Sequence, residues 1–233
     1  FVREDLHREI GVTLLPCNWL QVMENSLDPY HLEWLHLVYT NYVLERQGKP
    51  GNIALRKHAK VAFDVFEHGV SKRRLWEGED EEGSDEWKIG HPILFPTILA
   101  VGASTRPQFQ IRVPVDDVTT LHFWYETRVM AEGESLEPMR VYDYPYCHEN
   151  GRYIVETISG QDMMVWITQG VISDRTTERL GSSDKGVILY RTLLLDGMEK
   201  VARGEDPLGV IRDSALEGEA IYLPREGAIT ARQ

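Results

Sequence analysis

Cysteine is nearly missing from this sequence. Cys17 and Cys147 are the only two, and neither sits in a Cys-x-x-Cys pair. That argues against a disulfide framework and against a thiolate zinc site, and makes a reducing, cytoplasmic setting the default expectation. No apolar run approaches the ~18 residues that would cross a membrane. The opening Phe-Val-Arg-Glu-Asp-Leu has none of the marks of a signal peptide. With no initiator Met, so abrupt a start is expected of a piece of something longer. Positive charge is also scarce: 25 Lys and Arg stand against 37 Asp and Glu, a formal net charge of −12. Such a chain lacks the basic surface that non-specific nucleic-acid binding needs, although a local pocket can still oppose the global field and take an anionic small molecule. No internal repeat is visible. The one biased stretch, acidic Glu77 to Glu86, reads as a solvated, mobile loop, with a lid or a partner contact as the rival reading.

What remains is an ordinary globular composition. The 233 residues are 42% hydrophobic and 27% charged, enough for one large α+β domain or two small ones. Residues 16–36 read as a helix capped by Asn18 and disturbed at Pro29, which cannot continue the hydrogen-bond ladder. Residues 45–56 read as loop. A strand pair fits Lys60 to Leu75, turning at Glu67-His68-Gly69. Phe109, Ile111, Val113 and Val115 share one face of a strand, and Leu121, Phe123 and Tyr125 one face of the next. With residues 92–101 they make at least a three-stranded antiparallel meander, hinged at Asp116-Asp117-Val118-Thr119. Residues 128–150 look irregular, 160–180 helical, and 186–202 a long amphipathic helix after a stop at Gly181 and a cap at Ser183 or Asp184.

The densest group of potential ligands lies in Glu24-Asn25-Ser-Leu-Asp28-Pro-Tyr-His31-Leu-Glu-Trp-Leu-His36. Two neutral imidazoles near a carboxylate suit a divalent metal with open positions for chemistry. On a regular α-helix, positions five apart point roughly 140° away from each other. His31 and His36 therefore converge only if the backbone departs from that helix. The HExxH pattern of zinc hydrolases is absent, because the second His comes one residue late. Asp28 is placed to accept the second N–H of a ligand His and so to fix its tautomer.

This run resembles the N-x-x-D-x-x-H-x-x-x-x-H signature of Rieske-type non-haem iron aromatic-ring-hydroxylating oxygenases, in the catalytic domain of their α subunit. A second stretch, Gln161-Asp162-Met-Met-Val with Asp174-Arg-Thr-Thr-Glu178-Arg-Leu-Gly-Ser-Ser-Asp184, is similar to the C-terminal block of the phthalate dioxygenase and O-demethylase-like branch. The hairpin 109–125 fits that branch too, and the resemblance runs from about residue 10 to 205. It implies that His31, His36 and Asp162 are the ligands of a mononuclear Fe(II). Asp28 would link a ligand His to a Rieske-cluster His of the neighbouring subunit, and Asn25 would lie near the iron without being a regular ligand. The implied fold is α+β and helix-grip (Bet v1-like): a curved antiparallel sheet wrapped over a long C-terminal helix.

The expected activity is O₂ activation to hydroxylate or demethylate an aromatic or heteroaromatic substrate. Electrons would pass from a reductase or ferredoxin through a [2Fe–2S] Rieske cluster, in a homotrimer without β subunits. The Cys-x-His and Cys-x-x-His pairs of such a cluster are not in this sequence. The whole of 1–233 is therefore expected to be a single mononuclear-iron catalytic domain with the Rieske domain absent. Two rivals remain at this level, a non-catalytic helix-grip ligand-binding module and a zinc-dependent hydrolase. Asp174, Glu178 and Asp184 are expected to be salt-bridge and capping residues. Trp34, Phe95, Phe109 and Trp166 are pocket candidates for which core packing is the better reading. Arg112 could meet a substrate carboxylate, with a surface salt bridge as the preferred alternative.

Overall fold

The computed structural model describes residues 6–103, 106–216, 221 and 223. Eight strands form one sheet: β1 (Leu6–Leu15), β2 (His58–Phe66), β3 (Gly69–Trp76), β4 (His91–Leu94), β5 (Ile98–Ala103), β6 (Arg106–Asp116), β7 (Thr119–Val129) and β8 (Arg140–Asp143). Their order across the sheet is β2-β3-β4-β5-β6-β7-β1-β8. Every neighbouring pair is antiparallel except β1 with β8. The helices are α1 (Trp19–Asn25), a π-helical segment (Leu32–Tyr39) running into α2 (Thr40–Arg46), the single turn α3 (Asp85–Lys88), α4 (Ile158–Thr168) and the long α5 (Lys185–Ala202). This is the α+β sheet and long C-terminal helix implied by the sequence.

Two cores bind the helices to the sheet. Met23 and Leu27 pack with Val70, Ile93, Leu99, Val187 and Tyr190, which joins α1 and α5 to the β3–β5 region. Val22 packs with Leu15, Cys17, Trp124, Met163 and Trp166, which joins α1 and α4 to β1 and β7. Gly186 lets α5 come close. A Cβ there would fall 2.4 Å from the Leu27 carbonyl oxygen and 2.4 Å from the Phe63 ring. Glu24 ties the same corner from the side, pairing with Arg175 at 2.7 Å and Arg191 at 2.6 Å.

Several local expectations are met. Asn18 caps α1 by accepting from Leu20 N, and the hairpins turn at 67–68 and 117–118. Asp174, Glu178 and Asp184 cap and pair as expected: Asp174 accepts from Thr176 N, Glu178 binds Arg191, and Asp184 accepts from Gly181 N.

Other expectations are corrected. The disturbance expected at Pro29 within 16–36 is present, the helix stopping before it and restarting beyond, but α1 is shorter than read and covers only Trp19–Asn25. The helix placed at 160–180 ends at Thr168, because Gly170 takes a left-handed φ of 95° and closes it. Strands β1 and β8, the second inside the supposedly irregular 128–150, carry no clean alternation. The acidic loop is exposed but anchored to β2 and the segment just before it, with Glu79 paired to Arg56 and Glu81 to Lys60. Trp34 is neither core nor pocket, being 66% exposed, whereas Trp166 is fully buried and Phe95 packs against the core.

The largest correction concerns the sheet's faces. The period-two pattern of β6 and β7 is present, but the apolar set points outward. Val113 and Val115 are exposed, while Arg112, Thr120, His122 and Trp124 are buried beneath the helices. Arg112, expected at the surface, has no exposed area at all. Its guanidinium is carried by the Gln110 side chain at 2.5 Å and the Gln110 carbonyl at 3.4 Å, and lies 5.9 Å from the Trp166 ring. The helix-covered side of β6 and β7 is thus rich in polar groups, and Arg112 lies there against Trp166 of α4, the helix that carries Asp162.

Candidate metal centre

The π segment answers the spacing problem posed by His31 and His36. Hydrogen bonds from i to i+5 widen the helix, so residues five apart lie one above the other. His31 opens the segment and His36 sits five positions on. Their rings meet edge to face with centroids 5.1 Å apart. Asp162 comes from the second turn of α4, which Thr157 caps by accepting from Gly160 N at 3.1 Å. One donor atom from each of His31, His36 and Asp162 lies within 4.8 Å of the others. His36 and Asp162 are buried and His31 is half-buried.

The hydrogen bonds around the imidazoles decide which atoms face inward. His31 Nδ1 lies 2.5 Å from the Asp28 carbonyl oxygen, which can only accept, so Nδ1 donates. His36 Nδ1 lies 2.9 Å from Gln161 Oε1. That amide is oriented unambiguously, because its Nε2 donates to the Val155 carbonyl at 2.9 Å and to Thr40 Oγ1 at 2.9 Å. His36 Nδ1 is therefore also the protonated nitrogen of a neutral ring. Both Nε2 lone pairs then face Asp162 Oδ1, His36 at 3.1 Å and His31 at 3.9 Å. In this state Oδ1 is buried and receives no donor. Three acceptors converge on one point with nothing positive between them, and a metal ion satisfies all three. Ligand atoms each about 2.1 Å from one metal stand about 3 Å apart, so the donor set fits.

Electrostatics agree with that reading. Burial lowers His31 to a pKa of about 4, against a smaller upward pull from Asp162, which keeps the ring neutral and its lone pair available. Burial acts downward on His36 as well, but Asp162, 3.1 Å from Nε2, outweighs it and raises the ring above its ordinary value, so a proton on Nε2 and a metal ion compete for the same position. Asp162 thus draws positive charge into this space.

The other two residues singled out in the sequence lie at the edge. Asp28 holds His31 through its backbone, not its side chain. The carboxylate accepts from Tyr30 N at 2.8 Å, stands 3.8 Å from His31 Nδ1 and is one-third exposed. Asn25 ends α1, and its carbonyl accepts from Asp28 N at 3.1 Å. It shapes the turn; the three-residue cluster forms without it.

Gln161 was not foreseen, nor was Glu33. Glu33 lies within the π segment and accepts from His58 twice, from the backbone N at 2.7 Å and from Nδ1 at 2.6 Å. His58 stacks on Trp76 with centroids 4.1 Å apart, so this pair pins the π segment to the sheet edge. Gln161 could have been found from its place beside Asp162; Glu33 carries no signal but its place between the two histidines.

Comparison with known proteins converges on one group. Residues 146–221 match the family model described as "LigXa C-terminal domain like". The chain is 40% identical over 220 residues to the 5,5'-dehydrodivanillate O-demethylase oxygenase subunit of Sphingobium sp. strain SYK-6, covering 93% of this chain and 50% of that protein. It is 24% identical to the phthalate 4,5-dioxygenase oxygenase subunit of Pseudomonas putida, covering 88% of this chain and 54% of the relative. The chain therefore spans about half the length of these curated relatives. Among solved structures, NdmA of Pseudomonas putida CBB5 superimposes with a TM-score of 0.56 at 19% identity, covering 95% of this chain and 59% of that one. The quaternary ammonium Rieske monooxygenase CntA gives a TM-score of 0.51 at 15% identity, over 82% of this chain and 49% of that one. These two likenesses show a shared fold. Over a stretch matching about half of its relatives' length, the chain is a homologue of the oxygenase subunits of the O-demethylase and phthalate dioxygenase group.

Proposed function

We propose that this chain is the mononuclear-iron catalytic domain of a terminal oxygenase, with Fe(II) held by His31, His36 and Asp162, that hydroxylates or demethylates an aromatic substrate. The observation that carries the reading is the convergence of two bare Nε2 atoms on a buried, donor-less carboxylate oxygen. Ferrous iron there would supply the O₂ activation and one-electron chemistry that no side chain offers.

The side chains have separable tasks. The Asp28 carbonyl and Gln161 Oε1 hold the two rings with their protons turned away from the metal position. Asp162 supplies the single negative charge. The partly exposed Asp28 carboxylate is suited to pass electrons inward from a Rieske cluster in a neighbouring subunit of a trimer. The two cysteines of this sequence cannot complete such a cluster, so it would reside on another domain, reduced by a reductase or ferredoxin. Dehydrodivanillate and phthalate, in the relatives' names, are aromatic acids, and an aromatic acid is the substrate class that fits this chain.

The test is metal analysis and multiple-turnover assay of the protein with its Rieske domain, reductase, NAD(P)H and a panel of aromatic acids. Iron with O₂-coupled product formation is expected. Bound zinc with turnover in the absence of reductant would overturn the reading.

A further inference from the structure

We propose that Glu33 and His58 are a positioning pair for the candidate metal centre. By anchoring the π segment to β2 where its hydrogen bonding widens, they set the distance and angle between the His31 and His36 rings. The inference rests on the iron reading for the identity of the metal, but not for the geometry it invokes.

The backbone changes its hydrogen bonding at Glu33. Leu32 N donates to the Pro29 carbonyl at 3.3 Å and Glu33 N to the Tyr30 carbonyl at 3.0 Å, bonds that span three residues. Trp34 N reaches the Tyr30 carbonyl, four residues back, only at 3.5 Å, and the π pattern follows. Glu33 thus stands where a tight turn opens into a wide one. A π turn is rare and the α-helix is the commoner alternative, so something outside the segment has to hold the wide form. Were it to tighten, the two histidines, five apart, would diverge. Two residues are about half a turn of helix, which sends Glu33 out on the side away from His31. There it is buried, and its Oε1 takes both bonds from His58. Among the described residues the side chains of the π segment make hydrogen bonds at two places, His36 to α4 and Glu33 to β2. The histidine face and the opposite face are each tied once.

The sheet is built to present His58. The pairing of β2 with β3 shifts register between His58 and Lys60, and such a bulge re-aims a side chain. The imidazole has no exposed area. It stacks on Trp76 and meets the Tyr30 ring edge to face with centroids 5.5 Å apart. Trp76 is fixed in turn, its indole N–H donating to Glu86 at 3.2 Å and the Arg56 guanidinium lying 4.4 Å from its ring. His58 Nε2 is buried with no partner among the described residues, so the hydrogen bond that orients the ring is the one to Glu33. Removing the carboxylate would leave the His58 backbone N–H and Nδ1–H buried without an acceptor, and the π segment held from the α4 side alone. Asn41 offers a contrast. It clasps the approach to β2 from α2, exchanging bonds of 2.9 and 3.0 Å with Ile53, but it lies beyond both histidines.

The experiment uses the full-length protein with its Rieske domain, the cluster kept oxidised and EPR-silent. Nitric oxide is added to the ferrous site, and the shape of the EPR signal is recorded together with iron affinity against a chelator. Glu33→Leu is expected to bind iron about tenfold more weakly and to broaden or split the signal, as the histidines sample more than one arrangement. Glu33→Gln keeps an oxygen for His58 and should restore both readouts toward the native values. His58→Phe keeps the stack on Trp76 but loses the Nδ1 bond, so it should move the signal in the same direction by less. It carries the test should Glu33→Leu fail to fold. Asn41→Ala should lower Tm and leave the signal native, which separates positioning from general loosening. Native protein without iron would remove the metal reading and this inference with it. Iron in the native protein, with native signal and affinity in the folded Glu33→Leu and His58→Phe variants, would overturn this inference alone. So would an Asn41→Ala variant as altered as Glu33→Leu.

Discussion

Gln161 Oε1 accepts the Nδ1 proton of His36 at 2.9 Å, and the same amide is fixed by Val155 and Thr40 at its other end. A neutral amide thus does what a carboxylate often does beside a metal-bound histidine: it sets the tautomer without adding charge. Gln161→Leu should weaken metal affinity about 10–100-fold, read by competition with a chelator. It should also free the ring to populate the other tautomer, read by ¹⁵N shifts of His36 in the metal-free protein. Unchanged shifts would show that Gln161 is only packing.

Asp162→Ala removes the carboxylate on which both imidazoles converge. Iron is expected to be lost on purification while the fold persists, since Met163 and Trp166 still anchor α4 in its core. An iron-replete variant would remove Asp162 from the ligand set.

Asp28→Ala should behave quite differently. The group that holds His31 is the Asp28 carbonyl, which the substitution keeps. Metal content should therefore stay near that of the native protein, and reduction by the Rieske cluster should slow. Loss of metal in this variant would show that the side chain, and the turn it caps at Tyr30, is needed to place the ring.

Stability should fall with acid in a way that His122 helps to set. Burial, then the charge of Arg112, holds its pKa well below the ordinary 6.5. The unfolded chain binds a proton there sooner than the folded one, so folding stability is present above pH 6.5 and drains away as pH falls toward the folded pKa. His58, lowered chiefly by burial, acts in the same sense. His122→Phe preserves the stacking on Trp124 and removes the titration. Denaturant melts of the metal-free protein should show a shallower decline below pH 6.5 in this variant.

Gly186→Ala forces a methyl into the Leu27 carbonyl and the Phe63 ring. Overpacking of this kind costs about 1–3 kcal/mol. A lower Tm is expected, together with weaker metal retention, because the strained corner leads directly into the Asp28 turn. A variant as stable as the native protein would mean that α5 shifts freely.

Much of the metal centre could be read from residue order. His31, His36 and Asp162 come together as their motifs imply, and the demand that the backbone leave the α-helix between the two histidines is met by the π segment. Asp28 was legible as an orienting residue but not as one acting through its backbone, since a sequence does not say which of two oxygens faces a ring. The β6–β7 hairpin is legible in period and hinge, but not in which face is buried, and Arg112, expected at the surface, lies inside. Period two separates the faces without saying which one the helices cover. That choice depends on Arg112 being carried by Gln110 and Trp166, contacts made only after folding.

The π segment has a consequence for which genetic changes the protein tolerates. Ordinary substitutions at its exposed positions, such as Trp34 and Val38, leave the count of residues between His31 and His36 intact. A single-codon deletion there does not. With one residue fewer, the backbone can relax into the commoner α-helix, where positions four apart differ by about 40°; the histidines stay on one face, but the wider turn that sets their spacing is lost. Insertions and deletions, usually tolerated best in loops, meet here a helix whose length is itself the heritable trait.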